Sequence, residues 1–225
     1  MKRHRVLPRR FFPLGSVAAL AIVATGAFAG AQREEALSSS VQASLHRAVS
    51  DFPAAKLNFA TAAEGDAWLR EMSRRLATRI PDWPTRRDFL ITVQYEATRA
   101  GLDPQLVLGL IEHESNFRKF AVSSAGARGY MQVMPFWVKQ IGNADHNLFN
   151  LRTNLRYGCI ILRRYLDVEN GYYFTALGRY NGSLGRAEYP TAVLAAWRNW
   201  MWTPSTAPAP GPGARAAQTP ATVVR

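Results

Sequence analysis

The chain has 225 residues, 48% of them hydrophobic and 20% charged, with a formal charge of +12. That length suits one domain with appendages, and the apolar fraction excludes a globally disordered chain. The charge points first to a nucleic acid, an acidic polymer or an anionic membrane, and the lone cysteine, Cys159, excludes an internal disulfide.

Residues 1–10 carry Lys2, Arg3, Arg5, Arg9 and Arg10 and no acid. An apolar stretch follows from Phe11 to Ala29, and both Ala27-Phe28-Ala29 and Ala29-Gly30-Ala31 fit a small-x-small cleavage site. This predicts a secretory signal peptide over 1–31 and a periplasmic or secreted protein. An uncleaved anchor in the inner membrane is the alternative, since the apolar run approaches spanning length. Arg9-Arg10-Phe11-Phe12 also fits a twin-arginine signal. Losing five of the 28 basic residues would leave 23 against 16 acids, a charge of +7.

Residues 32–65 are rich in Ala and Ser and read as a loosely ordered linker, with a helix conceivable around Ser38–Val49. Helical periodicity becomes firm from Asp66, where Leu69, Met72, Leu76 and Ile80 share a face. Pro81-Asp82-Trp83-Pro84 breaks that helix. A second is expected from Thr85, with Asp88 completing a capping-box-like start, Phe89, Val93, Ala97 and Ala100 inward, and Gly101 as its end. Asp103-Pro104 opens a third helix. After a Ser/Gly/Ala stretch over 121–129, short helical pieces should cover Met131–Ile141. A long helix should run from Leu151 to Val168 with Leu155, Cys159, Leu162 and Leu166 on one side. Another runs from Tyr172 to Arg179, and the last starts at Pro190 with Val193, Trp197 and Met201 inward. Five of the 13 prolines lie in 203–225, a composition expected to be disordered. No alternating run is long enough for a strand, so the expected fold is all-α, with its domain over 66–202.

The third helix carries the candidate chemistry. Val107, Leu110, Ile111 and Glu114 share one face. Burying a carboxylate without a partner is costly and raises its pKa. A carboxylic acid still protonated near neutral pH is the donor that a glycosidic leaving oxygen needs. Taken alone, Glu114 could equally end the helix, turn to solvent or pair with an arginine. Glu112 falls on another face and reads as solvated, and the adjacent His113 reads as a surface or supporting group. Cys159 reads as a small buried hydrophobe. The four histidines and one cysteine show no metal-ligand spacing, so neither metal nor cofactor is expected.

The residues after Glu114 narrow the choice. Glu114-Ser115-Asn116-Phe117, Ala121-Val122-Ser123 and the run from Ala125 to Pro135 through Gly129-Tyr130-Met131-Gln132-Val133-Met134 resemble the catalytic signature of lytic transglycosylases of the soluble type, in the lysozyme-like superfamily. Two further motifs follow in the family's order. Asn150-Leu151-Arg152-Thr153-Asn154-Leu155 with Gly158 is similar to its Asp-Pro-x-x-Asn-Ile-x-x-Gly helix start. Arg179-Tyr180-Asn181-Gly182 is similar to its Ala-Tyr-Asn-x-Gly motif. Asn150-Leu151 stands where Asp-Pro is usual, Tyr130 where Leu is usual, and Arg179 where a small residue is usual.

The resemblance covers roughly Leu102–Trp202. It implies a lysozyme-like helical domain that cleaves the β-1,4 bond between N-acetylmuramic acid and N-acetylglucosamine without water. Glu114 would protonate the leaving oxygen, then take the proton of the muramoyl 6-hydroxyl as a 1,6-anhydro ring closes. It further implies that Ser123, Gln132, Met134, Tyr180 and Asn181 bind substrate, with the Tyr180 hydroxyl steadying Glu114 or the sugar. Core filling for Met134, a loop tie for Gln132 and a left-handed helix stop at Asn181-Gly182 are the structural alternatives. Gly126 and Gly129 would let backbone approach the cleft, and Trp137 and Tyr130 could stack on sugars. Asp145 is the one candidate for a second carboxylate. The partner would be peptidoglycan, with cell-wall or secretion-machinery proteins also open and nucleic acid not expected. The rivals are a goose-type lysozyme, a non-catalytic wall-binding or secretion module, and a basic nucleic-acid-binding protein.

Overall fold

A computed structural model describes residues 32–50 and 53–204. The expected signal or anchor over 1–31 and nearly all of the Pro/Ala-rich tail lie outside the described residues. Eight helices follow one another: α1 (Ser39–Ser50), α2 (Ala62–Leu76), α3 (Trp83–Arg99), α4 (Pro104–Ser115), α5 (Phe136–Ile141), α6 (Leu151–Val168), α7 (Tyr173–Asn181) and α8 (Glu188–Trp200). Among the described residues there is no strand, only two isolated antiparallel bridges, Val122 with Arg128 and Arg128 with Val133. The all-α expectation holds.

Local chemistry sets most boundaries. Asp103 accepts from the Gln105 N–H and Asn150 from those of Arg152 and Thr153, so α4 and α6 begin where their capping residues place them. Four starts differ from expectation. α5 begins only at Phe136, because Gln132 stands at positive φ and Val133 pairs with Arg128. α2 begins at Ala62, because Thr61 caps it by accepting from the Glu64 N–H. α3 begins at Trp83 rather than Thr85, because Asp82 is the cap and Pro84 sits in the first turn, where no N–H is needed. α8 begins at Glu188, two residues before Pro190, which again falls in the first turn, here without a side-chain cap. Val193 is buried and Trp197 packs against the core as expected, but Met201, the residue after the helix, is 53% exposed and Trp200 is covered in its place.

The described part of 32–65 carries the helix conceivable around Ser38–Val49. That helix, α1, lays Val49 into the core and Leu45 against it and packs on α5 and α6. The helix has few apolar residues of its own, and its order comes from neighbours far along the chain.

The core runs through all the helices, and α4 and α8 make the most extensive helix pair. Gly109 lets them meet: a Cβ there would lie 2.6 Å from the Trp197 backbone nitrogen. That close approach brings the start of α8 to the end of α4. On the opposite side, α3 and α6 bury an ion pair, Glu96 with Arg156, at 3.0 and 2.7 Å. Cys159 is buried and unpaired, as a small hydrophobe should be.

Candidate active site

Glu114 lies in the last turn of α4, with Val107, Leu110 and Ile111 fully buried on the same face. It is itself only 7% exposed. Burial pushes its carboxyl up to about 8, against a smaller downward pull from a hydrogen bond to Tyr189. The Tyr189 hydroxyl donates to Glu114 Oε1 at 2.5 Å. No second carboxylate takes part in that shift. Asp145 lies exposed in its loop, where its charge acts on Tyr157.

Tyr189 is the residue that sequence reasoning missed. It comes from the first turn of α8, 75 positions from its partner, and nothing in its own neighbourhood marks it out. The His113 ring meets it edge-on, with centroids 5.0 Å apart, and burial lowers the His113 pKa. Glu112 is not simply solvated. It pairs with Arg79 at 2.6 Å and accepts from the Trp200 indole at 2.7 Å, tying α4 to both neighbours.

The Tyr180 phenol does not bond Glu114. Its hydroxyl donates to the Met131 carbonyl at 2.7 Å. It is fully buried, and burial, followed by the nearby Glu114 charge, raises it well above the usual phenol range. The two tyrosines therefore divide the work expected of one: Tyr189 holds the acid, and Tyr180 holds the loop beside it.

That loop, 121–134, is fastened from several sides. Ser123 Oγ accepts from the Ala127 N–H at 3.0 Å, and Arg128 and Val133 exchange two backbone bonds of 3.0 Å. The Asn154 side chain, wholly buried in α6, accepts from the Met131 N–H at 2.8 Å and donates to the Arg128 and Leu148 carbonyls at 2.8 and 2.9 Å. Gly129 packs so close to Asn154 that a Cβ would sit 2.4 Å from its Nδ2, and its φ of +75° suits glycine. Gln132 also has a positive φ, +48°, and its Nε2 donates to the Ala121 and Gly129 carbonyls at 3.2 and 2.9 Å. The loop-tie role of Gln132 is thus present.

Met134 is half-buried against the core, and its N–H donates to Gln32 Oε1 at 3.2 Å. Asn181 is the last residue of α7, and the left-handed stop is Gly182, with φ +75°, not Asn181. The Asn181 Nδ2 is buried with no hydrogen-bond partner among the described residues. Trp137 and Tyr130 are core residues, so neither offers a face to sugar. Among the described residues no cluster of three His, Cys, Asp or Glu could hold a metal ion.

Residues 91–191, which contain Glu114, the fastened loop, Asn154, Tyr180 and Tyr189, match the family model for the Transglycosylase SLT domain. This stretch is similar to transglycosylase SLT domains. The domain's match begins within α3 and ends within α8, so it includes the helix pair that brings Tyr189 to Glu114. The transglycosylase of Enterobacteria phage PRD1 is 34% identical over 98 residues, 44% of this chain and 36% of that protein. Membrane-bound lytic murein transglycosylase C of Haemophilus influenzae strain PittEE is 30% identical over 115 residues, 44% of this chain and 32% of that protein. The X-ray structure of an inactive mutant of lytic transglycosylase Slt from Pseudomonas aeruginosa aligns with a TM-score of 0.47 and 22% identity over 59% of this chain and 27% of that one. The chain spans about a third of the length of the curated relatives it matches.

Proposed function

We propose that this protein is a peptidoglycan lytic transglycosylase that cleaves the β-1,4 bond between N-acetylmuramic acid and N-acetylglucosamine, leaving 1,6-anhydro-muramoyl ends. The observation that carries this reading is Glu114: an isolated, buried carboxyl with a pKa near 8, at the head of the SLT signature. At neutral pH it holds a proton, as a general acid must. Tyr189 occupies Oε1, which leaves the second oxygen to carry that proton toward the leaving glycosidic oxygen. The carboxylate so formed then accepts the proton of the muramoyl 6-hydroxyl, and attack of that oxygen on the anomeric carbon closes the anhydro ring. Tyr189, still donating, steadies the charge between the two steps. A classical hydrolase arrangement uses two carboxylates flanking the bond. One isolated acid suits a reaction whose nucleophile belongs to the substrate.

The remaining site residues act on binding and shape. Ser123 accepts one backbone bond and retains its hydroxyl proton for an acetamido or 6-hydroxyl oxygen. Gln132 and Tyr180 set the loop, Met134 offers apolar contact, and the Asn181 amide lacks a partner that a sugar could supply. The substrate is an extracytoplasmic polymer, which agrees with a periplasmic or secreted protein, whether released or tethered to the inner membrane. No helix among the described residues is long and apolar enough to cross a membrane. Digestion of purified sacculi, read by mass spectrometry, tests the reading. Anhydro-muramoyl products are expected, reducing ends would identify a hydrolase instead, and no product would identify a binding module.

A further inference from the structure

The segment ahead of α1 has a contact that the proposed reaction does not use. Gln32 is 4% exposed, although it lies on an extended, helix-free stretch. Its Oε1 accepts from the Met134 N–H at 3.2 Å, and its side chain also reaches the Tyr180 phenol. Both belong to the wall that the proposed substrate would face. A primary carboxamide presents the same acceptor oxygen and N–H donor as the acetamido groups of both peptidoglycan sugars. The Gln32 Nε2 is nevertheless buried without a well-formed partner among the described residues, so the seat is imperfect.

The rest of the segment is held by contacts that water and salt can loosen. Gln140 Nε2 donates to Glu34 Oε1 and to the Glu35 carbonyl, both at 3.2 Å. Arg179 Nη1 lies 3.6 Å from Glu35 Oε1, and both side chains are partly exposed. Arg179 is the residue that departs from the motif's usual small side chain, and this ion pair gives the departure a consequence. With the segment in place Glu114 is only 7% exposed.

We propose that residues 32–38 form an internal strap whose Gln32 carboxamide holds the place of a substrate acetamido group, so that the cleft admits glycan only when the strap lifts. This rests on the lytic transglycosylase reading and adds a self-inhibited resting state to it. The strap competes with substrate. Weakening it should raise apparent affinity for N-acetylated sugars and leave the chemical step alone.

The test uses the full chain and three variants, Gln32→Ala, Arg179→Ala and Glu114→Gln. Binding of an N-acetylglucosamine tetramer is measured by calorimetry in the Glu114→Gln background, and turnover on sacculi is measured with Glu114 intact. Gln32→Ala and Arg179→Ala should each tighten tetramer binding about three- to tenfold, and added salt should tighten binding to the unaltered strap. The tetramer should also speed amide hydrogen exchange over 32–38. Because Gln32→Ala could disturb the fold, Gln32→Glu is the control: it keeps the size, sets a charge in a buried seat and should also free the cleft. If sacculi are cleaved but these variants leave binding unchanged or weaken it, the strap is a fixed wall of the cleft and the inference fails alone. If no variant binds the tetramer and no sacculus is cleaved, the inference fails together with the functional reading.

Discussion

Two glutamates lie buried on successive helices and have opposite surroundings. Glu96 in α3 is 2% exposed and is gripped by Arg156 through two bonds, with Arg152 at 3.4 Å. Glu114 in α4 is nearly as buried but meets only a neutral phenol, and its pKa rises to about 8. Burial alone therefore does not make an acid catalyst. A carboxylate given a buried guanidinium stays a structural charge, and one denied it keeps its proton. The fold has placed cationic compensation at one site and withheld it from the other, although arginine is plentiful throughout the chain.

Replacing each glutamate should separate the two roles. Glu114→Gln should cut release of muropeptides from sacculi by about 10²–10⁴-fold, the usual reach of general acid–base catalysis, while the thermal midpoint holds or rises. A large loss of stability in that variant would break the contrast. Glu96→Gln should do the reverse. It leaves the Arg156 charge underpaired in the interior and should cost about 3–5 kcal/mol in urea unfolding, with activity falling only as folded protein is lost.

The pH dependence of stability sharpens the same comparison. Below about pH 4.5 Glu114 is protonated whether folded or unfolded. Above that the unfolded chain releases the proton and the fold retains it, so the group's contribution should fall by about 1.4 kcal/mol per pH unit. The loss levels off near pH 8, where the folded carboxyl also ionises. Denaturation of wild type and Glu114→Gln across this window should show that slope in the difference between their stabilities. Turnover, which needs the protonated form, should decline as pH rises through about 8.

The smallest effect expected is that of Tyr189→Phe. The lost hydrogen bond had pulled the Glu114 pKa down, so the alkaline limb of the rate profile should move upward. Turnover at neutral pH should drop by about tenfold or less. Tyr180→Phe should leave that limb nearly in place, because its hydroxyl serves the Met131 carbonyl. An equal shift in both variants would erase the distinction between the tyrosines.

Several of these features are legible in the order of residues alone. Asp103 and Asn150 announce their helices, and the face Val107, Leu110, Ile111, Glu114 announces a buried acid. Other features are not legible there. Trp137 and Tyr130 look alike as sugar platforms or core fillers, and Met201 looks as apolar as Trp200. Only the packing of α8 against α4 decides which is covered. The motif points to Tyr180 for the bond that Tyr189 makes, since it carries one tyrosine and the other lies in no motif.

The sequence by itself determined the helical class, most helix ends and the face on which Glu114 stands. Capping and periodicity act over one or two turns, and every residue involved is a near neighbour in the chain. Tertiary structure alone decided the company each side chain keeps. Tyr189 reaches Glu114 across 75 positions, Arg156 reaches Glu96 across 60, and Gln32 reaches Met134 across 102. Such pairings depend on how whole helices and segments dock, and it is they that set the charge, the proton and the access of this site.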